Sequence, residues 1–242
     1  MDYRKMKNDK MENNNNFIKL VIFDMDGTIF DTERLGFQKW IQAFKELGIP
    51  VHEKVLYEKI GLNSKDSKQF LIEKSGVDFD YDVVKKLKLQ LTKKHIAEKG
   101  TPTKEGFDEL IEFLKKQKIK TALATSRSRE NTDFYLKHAG KDIDKRFDFI
   151  VTGDMIEKGK PNPDIFLYAA ERLGISTTNT LVIEDSPNGI KAATAAQMRA
   201  IMIPDLIKPN DEIKKTVFAV KRNLQDIIDV LCQLNSIKQC QQ

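Results

Sequence analysis

The stretch IKLVIFDMDGT, residues 18–28, joins a short apolar run to two aspartates that stand two positions apart. The apolar run, residues 18–23, has the length and composition of a buried β-strand, and Gly27 marks the loop that follows it. Charged groups at the tip of a buried strand are costly unless they are paired or hold a metal ion. Asp24 and Asp26 therefore predict a polar site at the end of this strand.

Four further segments have the pattern of buried strands, and apolar stripes at helical spacing lie between them. Strands that alternate with helices form right-handed βαβ units, which place the strands in parallel with helices on both faces of one sheet. The sequence therefore predicts an α/β fold with a Rossmann-like, doubly wound parallel sheet. The further predicted strands are residues 119–124, 147–151, 180–183 and 199–203, and the stripes are 107–114, 166–173 and 224–231.

The alternation of strands and helices is interrupted after the first strand. An apolar stripe over residues 37–44 and helical patterns over 64–75 and 80–98 occur there without a strand. We expect a small α-helical cap domain, inserted at the tip of the first strand. The predicted organisation is a core of residues 17–31 and 101–242, a helical cap of residues 32–100, and a disordered, Asn-rich tail of residues 1–16.

Composition excludes several classes of protein. The chain has 242 residues, of which 40% are hydrophobic and 32% are charged, as in a globular protein with a sizeable core. No apolar run approaches the about 20 residues that cross a bilayer, and the N-terminus lacks the apolar region of a secretory signal. Cys232 and Cys240 form no CxxC pair or Cys/His cluster. We therefore expect reduced cysteines and a cytoplasmic protein without membrane association.

The net charge of +5 leaves two interpretations open. Its densest basic segment, residues 85–95, is either a solvated helix face or a surface that attracts a phosphate or a nucleic acid. Surfaces that bind single-stranded nucleic acid place aromatic side chains between the cationic ones, so that bases can stack. This segment lacks that pattern, which disfavours nucleic acid as a partner.

Polar and ionisable residues follow four of the predicted strands, at the point where each strand ends. Ligands of a doubly wound sheet bind outside the carboxyl ends of its strands, so we expect these residues to meet at one site. They are Asp24 and Asp26 after the first strand, Thr125, Ser126 and Arg127 after the second, Gly153, Asp154 and Lys160 after the third, and Glu184, Asp185 and Ser186 after the fourth.

This set of side chains has the chemistry of phosphoryl transfer. Crowded carboxylates need a cation, and oxygen ligands without His or Cys suit Mg²⁺. A phosphate group would fit between the metal, Lys160, the Thr125 hydroxyl and loop N–H groups. Asp24 could attack phosphorus, and Asp26 could protonate the leaving oxygen and then activate water.

Each of these residues, taken alone, also fits a structural role. An Asp-x-Asp at a strand end often forms a turn, and Ser186-Pro187 is a common helix start. Thr125 and Ser126 could cap the next helix, and Lys160 could be one more solvated lysine. The occurrence of four such groups, in order, after four strands favours a functional site.

The four groups resemble the four motifs of the haloacid dehalogenase superfamily, over about residues 17–235. The resemblance implies that Asp24 is the nucleophile and Asp26 the general acid and base. Because dehalogenases lack the second aspartate, Asp26 favours phosphoryl transfer. The implied phosphate-binding residues are Thr125, Ser126 and Lys160, and the implied Mg²⁺ ligands are Asp24, the Asp26 backbone carbonyl, Asp185 and Glu184. The motifs read DMDGT at residues 24–28, ALATS at 122–126, GKPNPD at 159–164 and VIEDSPNG at 182–189.

The resemblance is to members with a helical cap, which include β-phosphoglucomutase and phosphatases similar to pseudouridine-5′-phosphatase. It implies a Mg²⁺-dependent phosphatase that hydrolyses a small phosphate monoester, of sugar phosphate or nucleoside monophosphate type, through an aspartyl-phosphate. The first alternative is β-phosphoglucomutase, whose pattern has a His and an Arg where this chain has Gly36 and Ser64. The second alternative is a non-catalytic protein that binds a phosphate ligand or nucleic acid.

The helical cap is expected to contact the leaving group of the substrate. Its candidate residues are Arg34, Asn63 and Lys65. We expect a monomer whose partner is a small phosphorylated metabolite.

Overall fold

The structure is a computed structural model that describes residues 17–60, 64–140 and 142–237, without the side chains of Ser64 and Lys65. The predicted tail, residues 1–16, and the candidate residue Asn63 therefore lie outside the described residues. So does the side chain of Lys65.

In the part of the chain that the structure describes, six strands form one parallel sheet, which confirms the predicted α/β fold. They are β1 (Leu20–Phe23), β2 (Lys120–Thr125), β3 (Phe149–Thr152), β4 (Thr180–Glu184), β5 (Arg199–Met202) and β6 (Ala219–Val220). Their order in the sheet is β3-β2-β1-β4-β5-β6. The sequence did not predict β6, because two residues are too few to show a strand pattern.

Among the described residues, ten α-helices surround the sheet or form the insert that follows β1. The insert contains α1 (Thr32–Glu46), α2 (Glu53–Glu58), α3 (Ser64–Ser75) and α4 (Tyr81–Lys99). The others are α5 (Phe107–Lys116), α6 (Arg129–Ala139), α7 (Asp164–Arg172), α8 (Pro187–Ala195), α9 (Asp211–Thr216) and α10 (Asp226–Leu234). The sequence did not predict α2, whose six residues are fewer than two helical turns.

Successive residues of β1 face opposite sides of the sheet, and both sides are fully buried. Leu20 and Ile22 belong to the hydrophobic cluster with α7 and α8, whereas Val21 and Phe23 belong to the cluster with α5 and α10. Strands covered on both faces read as continuous apolar runs, as this one does.

Aromatic packing fixes the end of β1. Phe23 makes edge-to-face contacts with Phe107 and Phe147, with ring centroids 6.0 Å apart in both pairs. Replacing a buried phenylalanine by alanine typically costs about 3–5 kcal/mol of stability. Phe23 also pairs with Leu123 of β2 and Ile183 of β4, so the residue that follows it lies beside the ends of both neighbouring strands.

The helices α1 to α4 pack around a hydrophobic cluster of their own, and we call residues 32–99 the helical insert. Trp40 of α1 lies against Tyr81 of α4, with ring centroids 5.7 Å apart. Asp80 caps α4 by accepting hydrogen bonds from the backbone N–H groups of the first turn. The role of the insert as a cap domain stays a prediction.

The cysteine chemistry differs from the expectation. Cys232 lies buried in α10 and is disulfide-bonded, so the prediction of reduced cysteines is wrong at this position.

A separate observation concerns membranes. Within the described part of the chain, no helix combines the length and the apolar character that a bilayer crossing requires.

Candidate active site

The site lies where the chain order of the sheet reverses. The chain leaves β1 toward β2 on one side of the sheet, while β4 occupies the other side of β1. The carboxyl ends of two such strands leave a crevice between their loops, which is where doubly wound sheets bind ligands. Asp24 follows β1, Glu184 is the last residue of β4, and Asp185 follows it. Three carboxylates therefore meet at this crevice.

The three carboxylates form a group that could hold a cation. One oxygen of each lies within 4.8 Å of an oxygen of the others. Burial raises the pKa of Asp24 well above its usual value, and the nearby Glu184 adds to this effect while Lys160 opposes it. Burial and the same Glu184 also raise the pKa of Asp185. A divalent cation with a preference for oxygen ligands would relieve this repulsion, so the donor set fits Mg²⁺.

Two glycines make room for these carboxylates. Gly27 adopts a φ of +78°, and a Cβ at this position would overlap the Asp185 carboxylate. A Cβ at Gly189 would overlap the Glu184 carboxylate in the same way. A side chain at either position would therefore displace the carboxylate beside it, and at Gly27 it would also strain the left-handed backbone.

Lys160 is the cation that the described residues supply to this group. Its ammonium donates hydrogen bonds to Asp24 Oδ1 at 2.5 Å, Glu184 Oε1 at 2.7 Å and the Ala124 carbonyl at 3.2 Å. Burial alone would lower the pKa of Lys160, but the Asp24 and Glu184 carboxylates together raise it above its usual value. The side chain is thus charged, and it orients Asp24 through one oxygen.

Glu184 is engaged at both oxygens. Lys160 donates to Oε1, whereas Oε2 accepts hydrogen bonds from the backbone N–H and the hydroxyl of Ser186, both at 2.8 Å. The Ser186 hydroxyl accepts a hydrogen bond from the Gly189 N–H at the start of α8. Ser186 is therefore a helix cap, as one interpretation of the sequence had it, and it also fixes a residue of the site.

Asp26 faces a different set of partners. Arg127 donates to both of its carboxylate oxygens, with N–O distances of 2.7 Å, and the Thr32 hydroxyl donates to Oδ1 at 2.5 Å. Burial alone would raise the pKa of Asp26, but Arg127, the Thr32 hydrogen bond and the charge of Lys88 together lower it. The Arg127 guanidinium also lies over the Tyr135 ring, 4.1 Å from its centroid. Asp26 is thus ionised in this arrangement, and Arg127 holds it by a bidentate pair.

A cavity of about 690 Å³ opens at these residues, between the core and the helical insert. Glu33 and Ile60 of the insert line it together with core residues. The Thr125 side chain is buried, and its hydroxyl accepts a hydrogen bond from the Arg127 N–H at 3.2 Å. The predicted core residues that line this cavity are Asp24, Asp26, Thr125, Ser126, Lys160, Glu184 and Asp185.

The predicted cap residues are not brought to this cavity by any described contact. Arg34 is 56% exposed and forms ion pairs with Asp31 and Asp205, at 3.3 Å and 3.2 Å. Asp205 lies in the loop after β5, so Arg34 connects α1 to the core rather than lining the cavity. Asn63 and the Lys65 side chain lie outside the described residues.

Four residues that were not selected as site residues do line the space between insert and core. A second cavity of about 140 Å³ is lined by Glu33, Lys59, Lys88 and Arg127, and it shares Glu33 with the larger one. Arg127 was expected at this sheet edge together with Thr125 and Ser126, but the sequence analysis assigned it no role in the site. Lys88 was hidden within the lysine-rich segment 85–95, and nothing in the local pattern distinguished Lys59.

Comparison with known proteins agrees with this geometry. The profile of the haloacid dehalogenase-like hydrolase family matches residues 21–203. A phosphorylated carbohydrates phosphatase of Thermotoga maritima is 33% identical over 184 residues, which cover 76% of this chain and 84% of that protein. The β-phosphoglucomutase of Bacillus subtilis is 32% identical over 190 residues, which cover 76% and 82%.

A solved structure gives the same result for the fold. The crystal structure of a HAD hydrolase of family IA, variant 3, from Entamoeba histolytica has a TM-score of 0.72 and 27% identity, and covers 90% of this chain and 100% of that one. The family match contains every core residue predicted for the site, from Asp24 to Asp185. The resemblance seen in the sequence and the prediction of an enzyme are thereby confirmed. The chain belongs to the haloacid dehalogenase-like hydrolase family.

Proposed function

We propose that this enzyme is a Mg²⁺-dependent phosphatase that hydrolyses a small phosphate monoester, of sugar phosphate or nucleoside monophosphate type, through an aspartyl-phosphate. The observation that carries the proposal is the position of Asp24. Its carboxylate is buried at the wall of a cavity of about 690 Å³, with Lys160, Glu184 and Asp185 around it. A nucleophile beside cationic groups that stabilise a phosphate is the arrangement that phosphoryl transfer needs.

In the first half-reaction, an Asp24 oxygen attacks phosphorus and the bond from phosphorus to the leaving oxygen breaks. Lys160, the Thr125 hydroxyl and loop N–H groups hold the phosphoryl oxygens, and Asp26 donates a proton to the leaving alcohol. In the second half-reaction, water attacks the aspartyl-phosphate while Asp26 accepts its proton. The products are the alcohol, inorganic phosphate and the restored Asp24 carboxylate.

The metal would be held by Asp24, Asp185 and the Asp26 backbone carbonyl. When bound, Mg²⁺ supplies positive charge that offsets the negative charge of the phosphate and of the carboxylates. Glu184 has both oxygens engaged by Lys160 and Ser186. We therefore assign it the role of positioning Lys160 beside Asp24, with metal ligation secondary.

Asp26 has to exchange its partners during this cycle. In the present arrangement it is ionised and paired with Arg127, so it carries no proton to donate. Thr32, which also binds it, is the first residue of α1 in the helical insert. We propose that the insert acts as a cap whose closure over the substrate releases Asp26 from Arg127 and excludes water.

A β-phosphoglucomutase activity is the second candidate function, favoured by the 32% identity to the Bacillus subtilis enzyme. The substitutions at Gly36 and Ser64 disfavour it. Binding of a phosphate ligand or nucleic acid without catalysis is disfavoured by the pairing of a nucleophile with a potential acid. A monomeric state and a cytoplasmic location stay predictions.

The test is a phosphatase assay with purified protein and p-nitrophenyl phosphate, followed by a panel of sugar phosphates and nucleoside monophosphates. We expect turnover with Mg²⁺, its loss in EDTA and its return on adding Mg²⁺. Formation of glucose 6-phosphate from β-glucose 1-phosphate, measured separately, would favour the mutase. Turnover that persists in EDTA would contradict the metal-dependent mechanism.

A further inference from the structure

The second cavity carries an excess of positive charge. Lys59, Lys88 and Arg127 line it, and Glu33 is the one acidic residue that does so among the described residues. Arg127 is already paired with Asp26. Within the described part of the chain, no carboxylate lies within ion-pair distance of the Lys59 or Lys88 ammonium. Two cations therefore face this cavity without a bound counter-charge.

The two lysines come from different parts of the insert, Lys59 from the residue that follows α2 and Lys88 from α4, and both lie against α1. The Lys59 ammonium lies over the Trp40 ring, 4.5 Å from its centroid. Lys88 of α4 lies against Gly36, where an added Cβ would be 3.4 Å from the Lys88 ammonium. Gly36 thus leaves the space into which Lys88 extends. The β-phosphoglucomutase pattern has a His at this position, whereas here Gly36 leaves room for the Lys88 side chain.

The arrangement is electrostatically unfavourable without an anion. Burial lowers the pKa of Lys59 to about 8, and the charge of Lys88 contributes to this shift. Burial also lowers the pKa of Lys88, and the charge of Arg127 makes the next largest contribution to this decrease. Like charges held together in a partly enclosed space destabilise the protein, and an anionic ligand removes this repulsion.

We propose that Lys59 and Lys88 bind a second anionic group, carried by the leaving-group part of the substrate. The inference rests on the proposed phosphatase function and narrows its substrate class to phosphate monoesters that also bear a carboxylate or a second phosphate. A volume of about 140 Å³ has room for such a group, since a water molecule takes about 30 Å³. Both cavities share Glu33, Ile60 and Leu206, so one substrate can extend from Asp24 to the two lysines.

The experiment compares substrates that differ only in the second anion. Glycerol 3-phosphate and 3-phosphoglycerate form a pair that tests a carboxylate, and fructose 1-phosphate and fructose 1,6-bisphosphate form a pair that tests a phosphate. The readout for each pair is the kcat/KM of the substrate that bears the second anion, divided by the kcat/KM of the substrate that lacks it. A charge-assisted contact is worth about 1.5–3 kcal/mol, so we expect a ratio of about 10–100 in at least one pair.

The variants Lys59→Met and Lys88→Met remove each charge and keep an unbranched side chain one atom shorter than lysine. We expect each variant to lower this ratio by about tenfold or more. The decrease should come mainly from a higher KM for the substrate with the second anion, because that anion is remote from the reacting phosphorus. Lys54→Met and Lys86→Met are matched controls, since Lys54 is exposed on α2, the helix that Lys59 follows, and Lys86 is exposed on α4, the helix that contains Lys88. They are expected to keep the wild-type ratio.

The outcomes separate the two proposals. Absence of hydrolysis of all four substrates and of p-nitrophenyl phosphate contradicts the proposed function, and this inference with it. Hydrolysis of p-nitrophenyl phosphate with ratios near one, or with none of the four substrates accepted, overturns the inference alone. Ratios that stay at the wild-type value in both lysine variants overturn it as well.

Discussion

The Lys160 ammonium lies 2.5 Å from Asp24 Oδ1, although 136 positions of the sequence separate the two residues. Two features of the fold create this contact. Asp24 follows the central strand β1, and Lys160 lies in the loop that leads from β3 into α7. The same ammonium reaches Glu184 at the end of β4, so one lysine connects three separate parts of the sheet edge.

Lys160→Met is expected to lower kcat for p-nitrophenyl phosphate by about 10²–10³-fold. The change removes a preorganised positive charge at the point where phosphoryl oxygens would lie, and it leaves Asp24 without its orienting donor. The neighbouring Lys158 is exposed and provides the matched control, Lys158→Met, which is expected to retain wild-type kcat. A Lys160→Met enzyme within about twofold of wild type would exclude the lysine from catalysis.

Gly27→Ala and Gly48→Ala distinguish backbone strain at a left-handed position from displacement of the Asp185 carboxylate. Both glycines have a positive φ, +78° and +68°, but only Gly27 would place its Cβ against the Asp185 carboxylate, because the space at Gly48 is open. We expect both variants to lose about 1 kcal/mol of stability from backbone strain.

The two glycine variants should differ in their response to Mg²⁺. Gly27→Ala displaces Asp185, so Mg²⁺ should raise its melting temperature much less than it raises that of the wild type. Gly48→Ala should retain the full Mg²⁺-dependent increase. Equal increases in both variants would show that Asp185 does not bind the metal.

The free energy of unfolding should depend on pH because Lys59 titrates at a different pH in the folded and the unfolded protein. Its pKa falls from the usual 10.5 to about 8 in the folded protein, so between these values the unfolded chain binds more protons. The free energy of unfolding should therefore rise as the pH increases from 8 to 10.5, because the penalty of the charged lysine disappears. The charged groups that face Lys59 are Lys88 of α4 and Glu33 of α1, and neither has a pKa that reverses this sign.

Urea unfolding of the wild type and Lys59→Met at pH 7.5, 9 and 10.5 measures this effect. We expect Lys59→Met to be more stable than the wild type at pH 7.5 by about 1 kcal/mol, and the difference to decrease as the pH rises. If the second anion binds Lys59, the preference for the anionic substrate should also decline above about pH 8. A difference in stability that does not change with pH would contradict the assigned pKa.

Asp205→Asn is expected to lower the free energy of unfolding by about 2–3 kcal/mol. The Asp205 side chain is fully buried and pairs with Lys104 at 2.7 Å and Arg34 at 3.2 Å, so its loss removes the buried carboxylate between two cations and leaves the more exposed Asp31 to pair with both. Asp211 is 89% exposed and pairs with Lys214 at 3.2 Å, so Asp211→Asn should change stability by less than about 0.5 kcal/mol. If the two substitutions changed the free energy of unfolding by the same amount in urea, the ion pairs of Asp205 with Lys104 and Arg34 would have no special structural role.

The sequence predicted the sheet and the core of the site because their signals are local. Each strand from β1 to β5 is an apolar run, and the residues that follow the strands carry the chemistry of the site. The topology then brings these residues together without any further information about side chains. The sequence did not predict α2, α9 and β6, which are too short to show a period, nor α6, whose buried face includes the polar Thr132.

The sequence could not predict which residues of the insert face the cavity. Arg34 was expected to contact substrate, yet it pairs with Asp205 across the joint between insert and core. Lys59 and Lys88 line the second cavity because α2 and α4 pack against α1 in a particular orientation. Helical periodicity indicates which residues share a face of one helix, but the packing of several helices decides where that face points.

The most direct test of the central claim is to identify the residue that carries the phosphoryl group during turnover. The enzyme is mixed with substrate and Mg²⁺, quenched rapidly in acid and digested, and its peptides are analysed by mass spectrometry. We expect a phosphorylated peptide with the modification on Asp24, and its absence in Asp24→Asn. Steady turnover with no covalent phosphate, or with phosphate on a residue other than Asp24, would contradict it.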